Sequence, residues 1–364
     1  MQDINPLRLG IKAILIFILA NLAFAFFDPP VGSLTLYNRL VPGRLRFAFA
    51  GGPAVDASVG ELDALFASHI ISGPKQSNEF RVVLLGDSSV WGDLLSPSQT
   101  LSEQINQGNF ACNGRRIVAY NLGYPHPFLI KDLLILDEAK KYQPDMVIWM
   151  ITLDTLRPRG PNPFVVTNQS RIISLVQRYN IHYGVSGLNA GTSLWERTII
   201  GQRSRLASLA ALQEYGVYWA GMNYPVPDPA GYIPVKNDLD NATPFFMGYQ
   251  ANTDVSHFLF PLINSGYQIA GSIPLAVINE PMFISTGRNS DVGYNEFYPR
   301  WAYDAYRDIM SRDAHENGWR YYDLWNAIPQ SLFMDTALHL SPKGQNVLAQ
   351  LVAPVIMAAC PSSP

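Results

Sequence analysis

Short polar sequences stand where apolar runs end in this chain: Gly86-Asp87-Ser88-Ser89-Val90-Trp91-Gly92, Asn121-Leu122-Gly123-Tyr124-Pro125, Thr152-Leu153-Asp154 and Asn279-Glu280-Pro281. A further one, from Asp335 to Ser341 and including His339, precedes the last apolar stretch. These residue types can support acyl transfer. A serine attacks an acyl carbon only if a base takes its proton and N–H donors receive the oxyanion. Ser88 sits at a strand-to-loop junction where its own N–H can point into a site. Gly123 has no side chain to keep a second N–H away. His339 would be the base, oriented by a nearby carboxylate. Taken singly, each feature is as well explained by a turn, a cap or a core residue; their succession along the chain is what gives them weight.

The elements that must position these residues read as alternating strands and helices. Apolar strands are expected over 80–85, 116–121, 145–151, 274–278 and around 320–324. Helical spacing covers 96–108, 130–141 and 203–222, with a short helix at 59–68. The last helix starts at Ser341-Pro342, a serine cap followed by proline at the first helical position, and runs to about residue 359. Continuous apolar strands between helices predict a parallel sheet covered on both faces. Open sheets of that kind hold ligands at the carboxyl ends of their strands. The stretch from Arg157 to Gly271 is far longer than a crossover needs and reads as an insertion, a lid or subdomain. Its helix carries Leu206, Leu209, Leu212 and Tyr215 on one face, which suits core packing or contact with lipid.

The 364 residues are 48% hydrophobic but only 15% charged, with a net charge of −3, so neither disorder nor nucleic-acid binding fits. Residues 13–27 (AILIFILANLAFAFF) form an apolar run broken only by Asn21, with Arg8 and Lys12 before it and Asp28-Pro29-Pro30 after it. The flanking charges put the N-terminal end in the cytoplasm. A signal anchor is favoured over a cleaved signal peptide, because Phe26 and Phe27 follow the Ala23-Phe24-Ala25 site. A buried core helix is the bland alternative. The expected organisation is an anchor over 1–30, a Gly-, Pro- and Ser-rich linker over 31–78, and a catalytic domain over 79–364 with 157–271 inserted. The expected location is the cell membrane, single-pass, with that domain on the extracytoplasmic side. Cys112 and Cys360 can pair in an oxidising compartment or remain two buried thiols. His69, His126, His182, His257 and His315 show no ligand spacing, so no metal and no cofactor are assigned.

At the strand ends the chain resembles the SGNH/GDSL hydrolases. The matching pieces are Gly86-Asp87-Ser88 with Gly92, then Asn121-Leu122-Gly123, then His339-Leu340-Ser341 with Gly344; they span roughly 80–155 and 272–358. The resemblance implies a flavodoxin-like three-layer α/β sandwich with Ser88 as nucleophile, His339 as base, and Ser88 and Gly123 as oxyanion donors. Ser89 is the less favoured nucleophile. Two departures stand out. Where the family carries Gly-x-Asn-Asp, this chain has Thr152, Asp154 and Thr155, and an ionised Asp154 would repel an oxyanion. Asp154 would have to be protonated, bind a substrate hydroxyl or point away. The family's Asp three before the His is here Thr336; Asp335 stands one residue earlier and is the expected orienting acid, with Asp323 as fallback. The fold would also bring Cys112 and Cys360 to the bottom edge of the sheet, where a disulfide is expected.

Asp154, Asn279 and Glu280 are the substrate-binding candidates; Glu280 would otherwise bond loop N–H groups or Arg288. The expected function is an extracytoplasmic serine esterase or O-acyltransferase acting on an ester of an envelope glycan or lipid. For the transfer reaction an acyl-donor membrane protein is the expected partner. The rival reading is a non-catalytic scaffold or binding subunit of an envelope assembly, with Asp154 marking lost activity.

Overall fold

The computed structural model describes residues 5–34, 43–49, 60–160, 162–184, 193–220, 235–240, 242, 244–251, 253–335 and 338–360, with side chains omitted over 215–220. Val59, Met222, Thr336 and the side chain of Tyr215, all named above, therefore lie outside the described residues.

Six strands form one sheet: β1 (Glu79–Leu85), β2 (Ala111–Cys112), β3 (Arg115–Asn121), β4 (Met146–Ile151), β5 (Leu275–Asn279) and β6 (Arg320–Asp323), in the order β2-β3-β1-β4-β5-β6. All pairings are parallel except the short β2–β3 hairpin. The parallel strands thus follow the flavodoxin-like 2-1-3-4-5 order, with the switch point between β1 and β4. The hairpin was not expected from the sequence, although Asn113-Gly114 is its turn, with φ of 50° and 76°.

Strand alternation builds two cores. Val83 and Leu85 of β1, with Val147, Trp149 and Ile151 of β4, face one layer of helices. Val82 and Leu84, with Met146, Ile148 and Met150, face the other. On the first face lie α5 (Leu129–Ala139), α9 (Pro261–Ala270) and α10 (Arg300–Asn317); on the second lie α4 (Leu101–Gln107) and α11 (Pro342–Met357). Between α4 and the strand before it is a single turn of helix, α3 (Ser88–Trp91). Both faces of β1 and β4 are buried along their whole length, as continuous apolar runs require.

The remaining helices are α1 (Pro6–Phe27), α2 (Leu62–Ser68), α6 (Pro163–Thr167), α7 (Gln169–Arg178) and α8 (Arg203–Ala220). Described side chains of the 157–271 stretch, including Phe164, Ile172, Leu175, Leu209 and Leu212, share the first core with the sheet. Leu209 and Leu212 are buried there, which gives α8 a packing role. Residues 43–49, read from sequence as linker, also lie against the body: Arg46, Phe47 and Ala48 are buried. A parallel bridge from Arg44 to His69 holds them, and His69, fully buried, accepts Ile71 N–H on Nδ1. Burial drives the His69 pKa down to about 3, so this ring is a neutral structural pin.

α1 is 22 residues long and long and apolar enough to cross a membrane, with a mean hydropathy of 2.3 over its best stretch, of which only 11% is buried. Asn5 caps its start by accepting Leu7 and Arg8 N–H groups, and Asp28 ends it at φ 39°. At the opposite end of the chain a disulfide joins Cys112 to Cys360, with Cα atoms 5.7 Å apart, tying the β2 hairpin to the end of α11.

Candidate active site

The end of β1 turns into α3, and Ser88 is its first residue. Its N–H has no acceptor within the helix, as first-turn N–H groups never do. Asp87 caps the turn from below by accepting Ser89 N–H at 3.1 Å. Gly92 ends it at φ 88°, a left-handed conformation that suits glycine. The Ser88 hydroxyl lies 3.0 Å from His339 Nε2. On the far side of the ring, His339 Nδ1 is hydrogen-bonded to Asp335, whose other oxygen accepts His339 N–H at 3.2 Å. Because the carboxylate accepts, Nδ1 carries the proton and Nε2 presents its lone pair to Ser88.

The spacing from Asp335 to His339 works because the loop is closed on itself. Phe333 and Leu340 form an antiparallel bridge, and Met334 N–H donates to His339 O at 2.8 Å. That closure absorbs the extra residue relative to the family pattern. Asp323, the fallback, is elsewhere: it accepts from Arg307 Nε at 2.8 Å and from Asn279 Nδ2 at 2.8 Å. Burial alone would lower the His339 pKa, but the hydrogen bond and charge of Asp335, with Asp93 and Asp87 behind them, outweigh it and raise it above the ordinary value.

Ser89 faces the other way, toward Glu280, to which its hydroxyl donates. Ser88 is therefore the serine that meets a base. Glu280 is only 1% exposed and lies beneath the nucleophile turn, beside a cavity of about 10 Å³ bounded by Met150, Leu340, Gln345 and Leu348. Burial, reinforced by the Asp87 charge, pushes its carboxyl well above the usual range. Among the described residues its side-chain hydrogen bond is to Ser89 and not to Arg288, so its assignment as a substrate-binding residue is corrected to a buried support. Asn279 needs the same correction. It is fully buried, and its amide oxygen accepts the Tyr303 and Tyr306 hydroxyls at 3.0 Å each, joining β5 to α10.

Gly123 brings its loop against α3 so closely that a Cβ would stand 2.5 Å from Trp91 N. Its N–H, however, donates to Asn121 Oδ1 at 3.0 Å. Gly123, expected as an oxyanion donor, points its N–H at Asn121 in this structure and brings its loop close to the nucleophile turn. Asp154 stands in a short helical turn (Leu153–Leu156) capped reciprocally by Thr152 and Thr155. It is paired with two guanidinium groups, Arg157 Nε at 2.9 Å and Arg159. Its charge is answered locally, and the trio as a whole is positive.

No protein-family profile matches the chain, and no curated protein does. Among solved structures it is similar to a lipase/acylhydrolase from Enterococcus faecalis, at 14% identity and TM-score 0.40, covering 78% of this chain and 98% of that one. It is also similar to a protein described as an arylesterase from Agrobacterium tumefaciens (14%, 77% and 99%, TM-score 0.34). A third is described as a lipolytic protein of the G-D-S-L family from Desulfitobacterium hafniense (12%, 76% and 99%, TM-score 0.34). The strand order, with Ser88, Asn121 and Asp154 at or just after the ends of β1, β3 and β4 and His339 before the last helix, decides the fold. It is a flavodoxin-like α/β fold, the one that the resemblance to the SGNH/GDSL hydrolases implies.

Several residues that hold this site together were given no supporting role from the sequence. Lys131 is fully buried and donates to Gly86 O at 2.9 Å and Tyr124 O at 2.7 Å, tying the β1 and β3 loops, while pairing with Asp132 at 3.0 Å. Asn121 Nδ2 reaches Val90 O at 2.7 Å. Arg46 donates to Gly92 O at 2.8 Å and Leu95 O at 3.1 Å, and lies 3.7 Å over the Trp91 ring. The signal for Lys131 was present, since Lys131-Asp132 is a charged pair inside an apolar helical run. Above the site, His126 adopts φ 79°, an uncommon conformation for a non-glycine residue, with its ring 5.5 Å from that of Phe49. Burial, then the Lys131 and Arg159 charges, lower its pKa, partly offset by Asp87.

Proposed function

We propose that this chain is a membrane-anchored, extracytoplasmic serine esterase or O-acyltransferase that works through an acyl-enzyme on Ser88. Its substrate class is an ester on an envelope glycan or lipid. The observation that carries the reading is the continuous line from Ser88 Oγ through His339 to Asp335. In the first step His339 Nε2 takes the Ser88 proton as Oγ attacks the acyl carbon. The Asp335 carboxylate stabilises the imidazolium that forms and keeps the ring in place. The oxyanion meets Ser88 N–H. Collapse expels the alcohol, which takes the proton back from Nε2. A second oxygen nucleophile, activated by the same nitrogen, then releases the acyl group. Water gives hydrolysis and a sugar or lipid hydroxyl gives transfer.

The scaffold reading rested on the repulsion an Asp154 carboxylate would exert. Its pairing with Arg157 and Arg159 weighs against that reading. The test is labelling with a fluorophosphonate probe. Wild-type chain is expected to be labelled and Ser88→Ala not, whereas Ser89→Ala retains labelling. An intact, folded wild type that resists the probe would favour the scaffold.

A further inference from the structure

Asn21 is the one polar residue in the apolar run of α1, and it is 6% exposed. Both ends of its amide are hydrogen-bonded. Nδ2 donates to Phe17 O at 2.9 Å within the helix, and Oδ1 accepts Ile200 N–H at 3.1 Å from the turn that precedes α8. That turn satisfies much of its own backbone: Arg197 N–H donates to Ser193 O, Thr198 N–H to Trp195 O, Gln202 N–H to Thr198 O, and Gly201 N–H to the Thr198 hydroxyl. Asn21 meets an N–H that would otherwise face an apolar helix. Irregular backbone is tolerated near a membrane only where protein covers its polar groups, and here Asn21 of α1 and the turn's own side chains cover them.

Between the helix and the turn runs an apolar groove of about 310 Å³, lined chiefly by Phe17, Ile18, Leu22, Leu194, Trp195 and Ile200. Leu194 is 47% exposed and Trp195 61%. The helix is fixed to the body as well. Val31, just past its end, packs into the main core, and Gln213 of α8 donates to Leu34 O at 3.0 Å. At 1.5 Å per residue, positions 17–22 lie about 8–15 Å from the helix end at Phe27. Phe26 and Phe27 are strongly exposed and suit the headgroup level, where aromatic rings gather. The groove then falls beneath the headgroups, among the acyl chains of that leaflet.

We infer that the turn from Leu194 to Ile200 is a lipid-facing element that enters the leaflet beside the C-terminal half of α1, with the acyl chain of a membrane phospholipid filling the groove between them. The inference rests on reading α1 as a membrane anchor. The occupant follows from continuity: the open side of the groove continues the face of α1 that the protein leaves uncovered, and lipid is what covers that face. Glu196 and Arg197 follow Trp195 directly and set the depth, since their charged ends must reach the headgroups. The globular body is thereby held at two points, and a body held at two points keeps one orientation to the bilayer.

The experiment uses the full chain in vesicles of phosphatidylcholine and phosphatidylglycerol. Single environment-sensitive fluorophores are placed through Trp195→Cys, Ile14→Cys and Asn109→Cys, and quenching by doxyl-labelled phospholipid is measured. Labels at positions 195 and 14 are expected to lose about half their emission or more, as groups buried in the interface do, while a label at 109 stays unaffected. Quenching at 14 without quenching at 195 overturns the inference and leaves the anchor standing. Absence at both overturns the anchor and the inference with it. Shielding at 195 accompanied by cross-linking between two 195 positions assigns the groove to a second copy of the chain and overturns the lipid.

Discussion

Replacing Asp335 with Asn separates catalysis by this triad from a mere resemblance to one. The carboxylate accepts from both His339 N–H and Nδ1, and Asp335 and His339 are only 15% and 16% exposed, so water screens the pair little. An asparagine in the same place can turn its NH₂ toward Nδ1. Nδ1 then presents a lone pair, Nε2 carries the proton, and Ser88 loses its base. Loss of the working tautomer in a serine triad reduces kcat by about 10⁴-fold, which corresponds to about 5.5 kcal/mol in the barrier. The pH profile supplies an independent sign. Catalysis needs a neutral His339, whose pKa is raised in the folded protein by Asp335 against the effect of burial, so wild-type activity is lost as pH falls through that raised value. Removing the Asp335 charge leaves burial to dominate, and the acid limb moves to lower pH. The assay is the second-order rate of fluorophosphonate labelling from pH 5 to 9, which reports the activated serine without a known substrate. A loss under about tenfold, or a large loss with an unmoved acid limb, would refute the assignment of Asp335 as the group that orients the base.

Glu280→Gln keeps the shape and the contact with Ser89 while removing a carboxyl whose pKa burial has raised. A raised acid loses stability as pH climbs above its unfolded value, so the melting temperature of the variant should exceed that of wild type by a margin that grows from pH 5 to pH 8; a constant margin would contradict a neutral Glu280. Asp154→Asn removes the charge that meets Arg157 and Arg159 and is expected to cost about 1.5–3 kcal/mol in chemical denaturation without raising ester turnover. A gain in turnover would mean that the carboxylate is a brake. Opening the disulfide by Cys112→Ser with Cys360→Ser releases a sequence separation of 248 residues. Chain entropy sets a ceiling of about 5.5 kcal/mol on the loss, read by guanidinium denaturation of oxidised and variant protein; no loss would show that the bond constrains nothing.

The parts of the fold that were legible are those where one property decides. β1, β4 and β5 are buried on both faces, so each is an apolar run with little choice of state, and the helices between them follow from period and caps. The β2 hairpin was missed although Asn113-Gly114 is a turn signal, because two strand residues give no run to notice. What escaped was direction. Glu280 and Asn279 do stand at a strand end, where open sheets hold ligands, yet both side chains turn inward, Glu280 under the nucleophile and Asn279 toward Tyr303 and Tyr306. Residues 43–49 escaped because their burial depends on carbonyls at Gly92 and Leu95, partners no local pattern announces. Asp335 was legible as a carboxylate near His339, but its reach depends on the Phe333–Leu340 bridge that closes the loop.

The supports found in the structure divide the site unevenly, and the division bears on the reaction. The nucleophile turn is held from several sides by Asp87, Asn121, Lys131, Arg46 and the Ser89–Glu280 pair, all buried or half-buried. Such a turn cannot shift to suit a substrate, so Ser88 and His339 keep one geometry whichever nucleophile arrives second. The choice between water and a carbohydrate or lipid hydroxyl must then be made elsewhere. The residues available for it lie beyond the motif blocks: Arg159, whose Nε is buried without a hydrogen-bond partner beside Asp154, His126 in its strained backbone conformation, and Phe49 against it. A strained residue persists only where its surroundings hold it. Hydrolysis and transfer by this chain are therefore expected to separate on substitutions at His126 and Arg159, with Ser88 labelling unchanged, and an acceptor preference untouched by both would return the choice to the catalytic residues themselves.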